Sequence, residues 1–249
     1  MQFVQGLPDG VYVGQTRVQH PQTQPSSIPA LEGFNLALHV HDDAKRVQQH
    51  RMALLANFAE FGVNKLTWMT QTHSTLCHTI NQQNTFEALE GDGLVTQQKA
   101  HALMMMTADC LPVVLGNADG TEVANLHAGW RGLAHGIVEN TIATMQTQPT
   151  WAWLGAAISQ PCFEIGAEVK AVFCDKYPEF NMAFIAGRQA GKFHADLYAI
   201  ARYILQQQGV SIVLGGDQCS YQQADEYFSY RRHAQTGRMA TFVFMRSLT

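Results

Sequence analysis

The sequence predicts an α+β fold, a single domain built around one large mixed sheet or two facing sheets. Three observations predict it. Strand-like apolar runs and helical periodicities are interleaved along the chain without the regular spacing of repeated βαβ units. The chain has 249 residues, 46% of them hydrophobic and 14% charged, enough for a substantial core and unlike a disordered composition. No low-complexity linker divides it, so residues 1–249 read as one domain.

The elements follow in order. Residues 19–27 are polar and rich in Gln and Pro, an exposed loop. Residues 42–61 have helical character, because Ala44, Val47, Arg51, Leu54 and Phe58 recur at steps of three and four. Residues 66–69 read as a strand leading into His73, and Gly91-Asp92-Gly93 as a tight turn before the strand 94–96. Residues 102–106 read as a buried strand ending at Cys110, and 123–126 as a short strand ending at His127. Residues 134–145 form a second predicted helix, with Ile137, Ile142 and Met145 facing the core. A strand over 151–158 is closed by Ser159-Gln160-Pro161, and a helix over 168–177 is stopped by Pro178. A third long helix, 196–208, ends at Gly209 as a C-cap, and residues 210–214 and 241–245 are late strands.

Composition narrows the function. The net charge is −4 and no block of Lys or Arg exists, which argues against a nucleic-acid partner bound through its phosphates. No segment approaches the roughly 20 consecutive apolar residues of a membrane span. Residues 1–10 lack a charged start followed by an apolar stretch, so a secretory signal is not expected and a cytoplasmic protein is. The five cysteines (Cys77, Cys110, Cys162, Cys174, Cys219) show no CxxC spacing, so reduced thiols are expected, mostly as buried small hydrophobes.

Two segments carry the chemistry: Thr107-Ala108-Asp109-Cys110-Leu111-Pro112 and Asn125-Leu126-His127-Ala128-Gly129-Trp130-Arg131-Gly132. Each places a soft metal ligand or nucleophile where an apolar run stops, and Gln71-Thr72-His73-Ser74 offers a second imidazole in a similar setting. His73, Cys110 and His127 would supply three protein ligands to a zinc ion, leaving a fourth position for water. Their separations, 37 and 17 residues, do not by themselves require a metal. The same atoms suit a thiolate–imidazolium nucleophile with Asp109 or Asp92 orienting the ring, or simply two hydrogen-bonded histidines beside a buried thiol. Arg131, ahead of the helix 134–145 and its free amides, would favour a phosphate or a substrate carrying one. Arg188 and Lys192, each following a glycine, are further cations near a turn or else solvated charges. Tyr227-Phe228-Ser229-Tyr230-Arg231-Arg232 would stack an aromatic ring and set a cation beside it, or form an aromatic strand with an exposed basic tip. Met104-Met105-Met106 invites a copper reading, but successive strand side chains face opposite ways and cannot converge.

These segments together resemble the laccase-domain or polyphenol oxidase family, whose members are also described as purine nucleoside phosphorylases. The resemblance runs from Asn35-Leu36 and Asp42-Asp43 through the His73, Asp92, Cys110 and His127 segments. It continues into Cys162-Phe163-Glu164-Ile165-Gly166, Lys192 with Asp196-Leu197, and Phe228-Ser229-Tyr230-Arg231-Arg232 with Gly237-Arg238. It implies a four-layer α/β/β/α sandwich and a metal held by His73, Cys110 and His127, zinc first with copper possible. It implies phosphorolysis of adenosine, inosine, guanosine and methylthioadenosine, with deamination of adenosine besides. Cys110, His127, Asp109 and Arg131 would then carry catalysis, and Arg131, Arg188, Lys192, Tyr230 and Arg231 would bind the nucleoside and phosphate. Asp92, Asp109 and Glu164 are the candidates for handling protons. The HxE and PCxxC signature of nucleic-acid deaminases is absent, so deamination would need another constellation. The chain departs from the family pattern at Ala156-Ala157, where a Gly-Pro-like step is common, at Ser159 for Gly, and at Ser220 for Thr.

Three readings compete. Copper oxidation of phenols shares the His2Cys ligand set, but a full laccase needs a further cluster of several histidines. A Cys-dependent amidase acting on a peptidoglycan precursor would use Cys110 as nucleophile, and a non-catalytic binding protein would need no reactive Cys110 at all.

Overall fold

Two sheets face each other across the centre of the protein. The first orders its strands Val11–Gln15, Met239–Met245, His101–Thr107 and Lys65–Thr67; the second orders them Ile212–Gly215, Trp151–Leu154, Leu111–Gly116, Val123–Ala128, Gly93–Thr96 and Cys77–Ile80. Both are mixed, since Lys65–Thr67, Ile212–Gly215 and Cys77–Ile80 each join their sheet in parallel at an edge. A small antiparallel sheet of Phe184–Ala186, Lys192–Ala195 and Glu164–Gly166 is hydrogen-bonded to neither, though its Ile165, Phe184 and Ala195 share a core cluster with the second. This computed structural model describes residues 3–81 and 89–247, so the first two residues of the N-terminal stretch lie outside it.

Side-chain alternation explains the layering. Met105, Leu103 and Val243 of the first sheet meet Leu94, Val114 and Val123 of the second in one buried cluster. Met104, one residue along, faces the other way, and packs with Phe242 and Phe244 against Leu54 and Phe58 of the helix Ala44–Ala59. The methionines are therefore divided between faces, as the period of two requires. On the far side, Val113, Leu115, Ala124 and Leu126 pack against Leu133, Ile137, Ala201 and Leu205, which lie on the helices Trp130–His135, Ile137–Thr144 and Leu197–Gln207.

Most expected elements form, with informative shifts. The helix Ala44–Ala59 starts where Asp43 accepts the Lys45 and Arg46 amides, and Arg46 and His50 join Val47, Leu54 and Phe58 on its buried face. Leu197–Gln207 is capped by Asp196, and Gly209 follows it at φ 78°. The expected helix over 134–145 is instead two, Trp130–His135 and Ile137–Thr144, because Gly136 adopts φ 98° between them. The strand expected over 151–158 stops at Leu154, and residues 227–232 run through irregular backbone into a turn at 230–232 rather than forming an aromatic strand. Leu111–Gly116 is a central strand of the second sheet that the reading through Cys110 left out. Cys110 therefore sits in the crossing from His101–Thr107 of one sheet to Leu111–Gly116 of the other. His127 lies inside Val123–Ala128, not beyond its end.

Candidate active site and metal centre

Sheet register assembles the site. Leu111 pairs with Ala128 and Pro112 with His127, so the corner at Cys110 lies beside the His127 ring. On the other flank of the same strand, Gly93 pairs with Leu126, and the His127 amide donates to the Asp92 carbonyl at 2.8 Å. Asp92 thus stands at the foot of its strand with its carboxylate turned to His127. That carboxylate is fully buried, and His127 Nδ1 lies 2.7 Å from its Oδ1. It also accepts the His73 amide at 3.1 Å, the Ser74 amide at 2.6 Å and the Ser74 hydroxyl at 2.8 Å. One carboxylate so fixes the ring of one histidine and the loop of the other. His73 itself holds φ 58°, a left-handed backbone that this set of hydrogen bonds sustains.

The result is a compact donor set. One ligating atom from each of His73, Cys110 and His127 lies within 4.8 Å of the others, with Cys110 Sγ 3.9 Å from His73 Nε2. Among the described residues this is the one group of three or more such donors so placed. With Nδ1 of His127 engaged by Asp92, its Nε2 is left for Cys110 or an ion, the carboxylate–histidine arrangement that orients metal ligands. Gly129 closes the packing: a Cβ there would meet Cys110 Sγ at 3.0 Å.

Electrostatics make the sulfur a ligand or nucleophile. Burial alone would push the Cys110 thiol up, but the charge and hydrogen bond of His127, then those of His73, outweigh it and bring the thiol below its ordinary value. Burial likewise opposes charge on His127, yet Cys110 and Asp92 prevail and push it above the usual imidazole range. Burial would raise Asp92, and its hydrogen bonds with His127 and Ser74 instead hold it at about 2.

The three donors line a cavity of about 320 Å³ that Arg238, Tyr230, His39 and Met106 also line. Tyr230 was expected there; Arg238 and His39 were not singled out. Their signals were present in the sequence, as Gly237-Arg238 and as the His-x-His pair His39-Val40-His41. Arg238 is braced through Nη1, which donates to the Thr236 and Gly237 carbonyls at 2.7 and 3.0 Å. Burial draws its guanidinium down from the ordinary value, against the opposing charges of Cys110, Asp109 and Tyr230.

Other expected residues lie elsewhere. Arg131 is exposed on the first turn of Trp130–His135, its guanidinium 4.5 Å from the Trp130 ring centroid, and it does not line the cavity. Arg188 and Lys192 belong to the hairpin of the small sheet and do not line it either. Arg231 donates through its guanidinium to the Glu164 carbonyl at 3.2 Å, and its amide donates to Asp109 Oδ2 at 2.6 Å. Asp109, at φ 89°, also accepts the Ser220 hydroxyl at 2.7 Å, so its carboxylate ties loops together instead of orienting a histidine. Glu164 is exposed on the small sheet.

Known proteins are similar to this chain over most of its length. The family described as multi-copper polyphenol oxidoreductase laccase matches residues 18–246. A purine nucleoside phosphorylase, YfiH, of Escherichia coli is 37% identical over 221 residues, 88% of this chain and 89% of that protein. The adenosine deaminase RL5, from an unknown prokaryotic organism, is 32% identical and matches 86% of this chain and 88% of its own length. The crystal structure of the Neisseria meningitidis protein NMB0706 superposes with a TM-score of 0.87 at 38% identity, over 97% of this chain and 96% of that one.

Proposed function

Because the chain belongs to the multi-copper polyphenol oxidoreductase laccase family, with relatives named as purine nucleoside phosphorylases, we propose that it is a metal-dependent phosphorylase of purine nucleosides. The observation that carries this reading is the His73–Cys110–His127 set on the wall of a cavity shared with Arg238 and Tyr230. Adenosine, inosine, guanosine and methylthioadenosine are the substrates it names, with inorganic phosphate as acceptor. Deamination of adenosine is a side activity, favoured by the likeness to the deaminase RL5.

Two imidazoles and a thiolate fit zinc, and an open three-ligand set suits catalysis better than a closed structural site. When bound, zinc would supply a Lewis acid and lower the pKa of a coordinated water. His73, Cys110 and His127 would hold it, and Asp92 would fix both histidines. Copper is the alternative occupant, because His2Cys with a nearby methionine is also a blue-copper set and Met106 lines this cavity. A laccase reaction finds less support, since no second donor group stands among the described residues.

The protein's own side chains perform the rest. Arg238 offers its unused guanidinium edge to phosphate, in the place first expected of Arg131. Tyr230 presents an aromatic face to the purine, and His39 and Tyr230 are cavity groups that can exchange protons with the leaving base. The fold reading that accompanies this is one domain over residues 1–249, a four-layer α/β/β/α sandwich supported by the clusters on either side of the facing sheets. No helix among the described residues is long and apolar enough to cross a membrane, and the five free cysteines suit the reducing cytoplasm.

A second reading has its own observation. Cys110, His127 and Asp92 stand in the order nucleophile, base and orienting acid, which serves an amidase without a metal. One experiment separates the two: nucleoside turnover by metal-loaded protein with and without phosphate, following free purine and inosine by chromatography. Phosphate-dependent purine release that chelation abolishes and Cys110→Ala removes is the expected result. No turnover of any nucleoside by folded, zinc-loaded protein would overturn the phosphorylase reading and favour the amidase.

A further inference from the structure

Two thiols stand on the segments that clamp Asp109, the residue before Cys110. The Ile158 amide donates to the Asp109 carbonyl at 2.9 Å, and the Ser220 hydroxyl to its Oδ1 at 2.7 Å. The residue after Ile158 is Ser159, and the residue before Ser220 is Cys219. These two neighbours are themselves joined: Ser159 donates to Cys219 Sγ from its hydroxyl at 2.9 Å and from its amide at 3.4 Å. Ser159 caps the 3-10 turn Gln160–Cys162, and the Cys162 amide returns to its carbonyl at 3.0 Å. Ser159 is therefore bonded to both cysteines, through its carbonyl to the Cys162 amide and through its hydroxyl and amide to Cys219 Sγ, and this shared partner holds Cys162 and Cys219 as neighbours. Cys219 also lines a cavity of about 440 Å³ that opens beside Asp217 and Arg202, giving a small reagent a path to its sulfur.

We propose that Cys162 and Cys219 are a redox modification site, forming a reversible disulfide by exchange with a low-molecular-weight disulfide, and that the bridge resets the Cys110 corner through Asp109. The Cys219 thiolate attacks one sulfur of the small disulfide, forming a mixed disulfide and expelling one thiolate. Cys162 then loses its proton and attacks the Cys219 sulfur, expelling the second. The protein gains one S–S bond and gives up two electrons and two protons, and the reagent leaves as two thiols. The order of attack follows from the surroundings. Burial opposes a Cys219 thiolate, but the Ser159 hydroxyl and the amides of Ser159, Tyr221 and Gln222 stabilise it and lower its pKa. Burial and the neighbouring Cys219 push Cys162 up, as suits the second group. In a reducing compartment such a pair serves sensing more than structure.

The test needs no substrate, so it stands apart from the phosphorylase reading. Purified protein is incubated with glutathione disulfide and digested without reduction. The expected product is a Cys162–Cys219 cross-linked peptide, with two fewer titratable thiols, both restored by excess reduced glutathione. The rate of Cys110 alkylation by iodoacetamide should change by about threefold or more between the two forms. Cys162→Ser, or Cys162→Ala if the first fails to fold, should stop at a mixed disulfide on Cys219 with Cys110 alkylation unchanged. No cross-linked peptide, or stable mixed disulfides on Cys162 or Cys219 of the unsubstituted protein, would overturn the site. A bridge that leaves Cys110 alkylation unchanged would overturn its link to the corner.

Discussion

His127 Nδ1 lies 2.7 Å from Asp92 Oδ1, and the same Oδ1 accepts the His73 amide at 3.1 Å. Two histidines 54 residues apart in sequence are therefore positioned by one side chain. Hydrogen bonds of this kind fix a ligand's tautomer and direction, and losing them costs roughly 10–100-fold in metal affinity. Asp92→Asn keeps the shape but replaces one acceptor oxygen by a donor that cannot receive the Ser74 or His73 amide. The expected outcome is a fall in zinc affinity of about that size, with an unchanged far-ultraviolet circular dichroism spectrum. Competition with a chromogenic chelator measures it; wild-type affinity would remove Asp92 from the role given to it here.

Gly129 and Gly136 bracket one short helix and predict opposite losses. Gly129 has φ −60°, which alanine adopts freely, but an added Cβ would stand 3.0 Å from Cys110 Sγ. Gly136 has φ 98°, costly for alanine, while its nearest foreign atom would be at 3.6 Å. Gly129→Ala should lower bound metal and activity with melting temperature nearly unchanged. Gly136→Ala should cost about 1 kcal/mol or more of stability and leave bound metal stoichiometric. Metal analysis beside thermal melts separates the two, and equal metal content in both variants would contradict the steric argument.

These residues also mark how far the sequence could be read. Cys110 and His127 were legible because each stands where an apolar run stops and His73 because a short apolar strand leads into its polar loop, and helices with a clear stripe or cap, such as Leu197–Gln207, came out near their true ends. Leu111–Gly116 was not, because an unbroken apolar run carries no alternation to show where a chain passes from one sheet into another. The break at Gly136 was hidden because a glycine within a helical pattern does not declare its φ. Arg238 and His39 depend on long-range contacts between the chain's two ends: the Arg238 amide bonds to Asn35 Oδ1, 203 residues away. Arg131 misled for the converse reason. Its position beside His127 in sequence suggested a shared site, yet the first turn of Trp130–His135 carries its side chain onto the Trp130 ring.

Arg238 and Arg131 can be ranked by kinetics. Arg238 lines the cavity with its guanidinium braced through Nη1 only, whereas Arg131 is exposed and outside it. Arg238→Gln should raise the KM for phosphate by about tenfold or more, the cost of a lost charge-assisted hydrogen bond. Arg131→Gln should leave it within about twofold, as for a screened surface charge. Initial rates over a phosphate series decide the matter. A large effect of Arg131→Gln with none from Arg238→Gln would return the anion to the helix start.

The acid limb of the stability curve has an identifiable contributor in His101. Its ring is 2% exposed, with Nε2 2.7 Å from the Thr67 hydroxyl and Nδ1 3.0 Å from Gln98 Oε1. The neutral tautomer satisfies both: Nδ1–H donates to the amide oxygen and Nε2 accepts from Thr67. A second proton would put a donor on Nε2 and a charge in a buried site beside Lys65. Burial first, and Lys65 after it, lower the folded pKa from 6.5 to about 4. The folded protein therefore holds fewer protons than the unfolded chain between those values, and stability must fall as pH drops through that window. His101 contributes at most about 1.4 kcal/mol per pH unit there, nothing further above 6.5, and no additional slope below 4. His20, His39 and His50 shift in the same direction, so the limb is shared. His101→Gln keeps one donor and one acceptor and removes the proton site. Urea unfolding at pH 7.5, 5.5 and 4.5 should show a shallower loss in that variant than in wild type, and identical slopes would assign the acid limb to the other histidines.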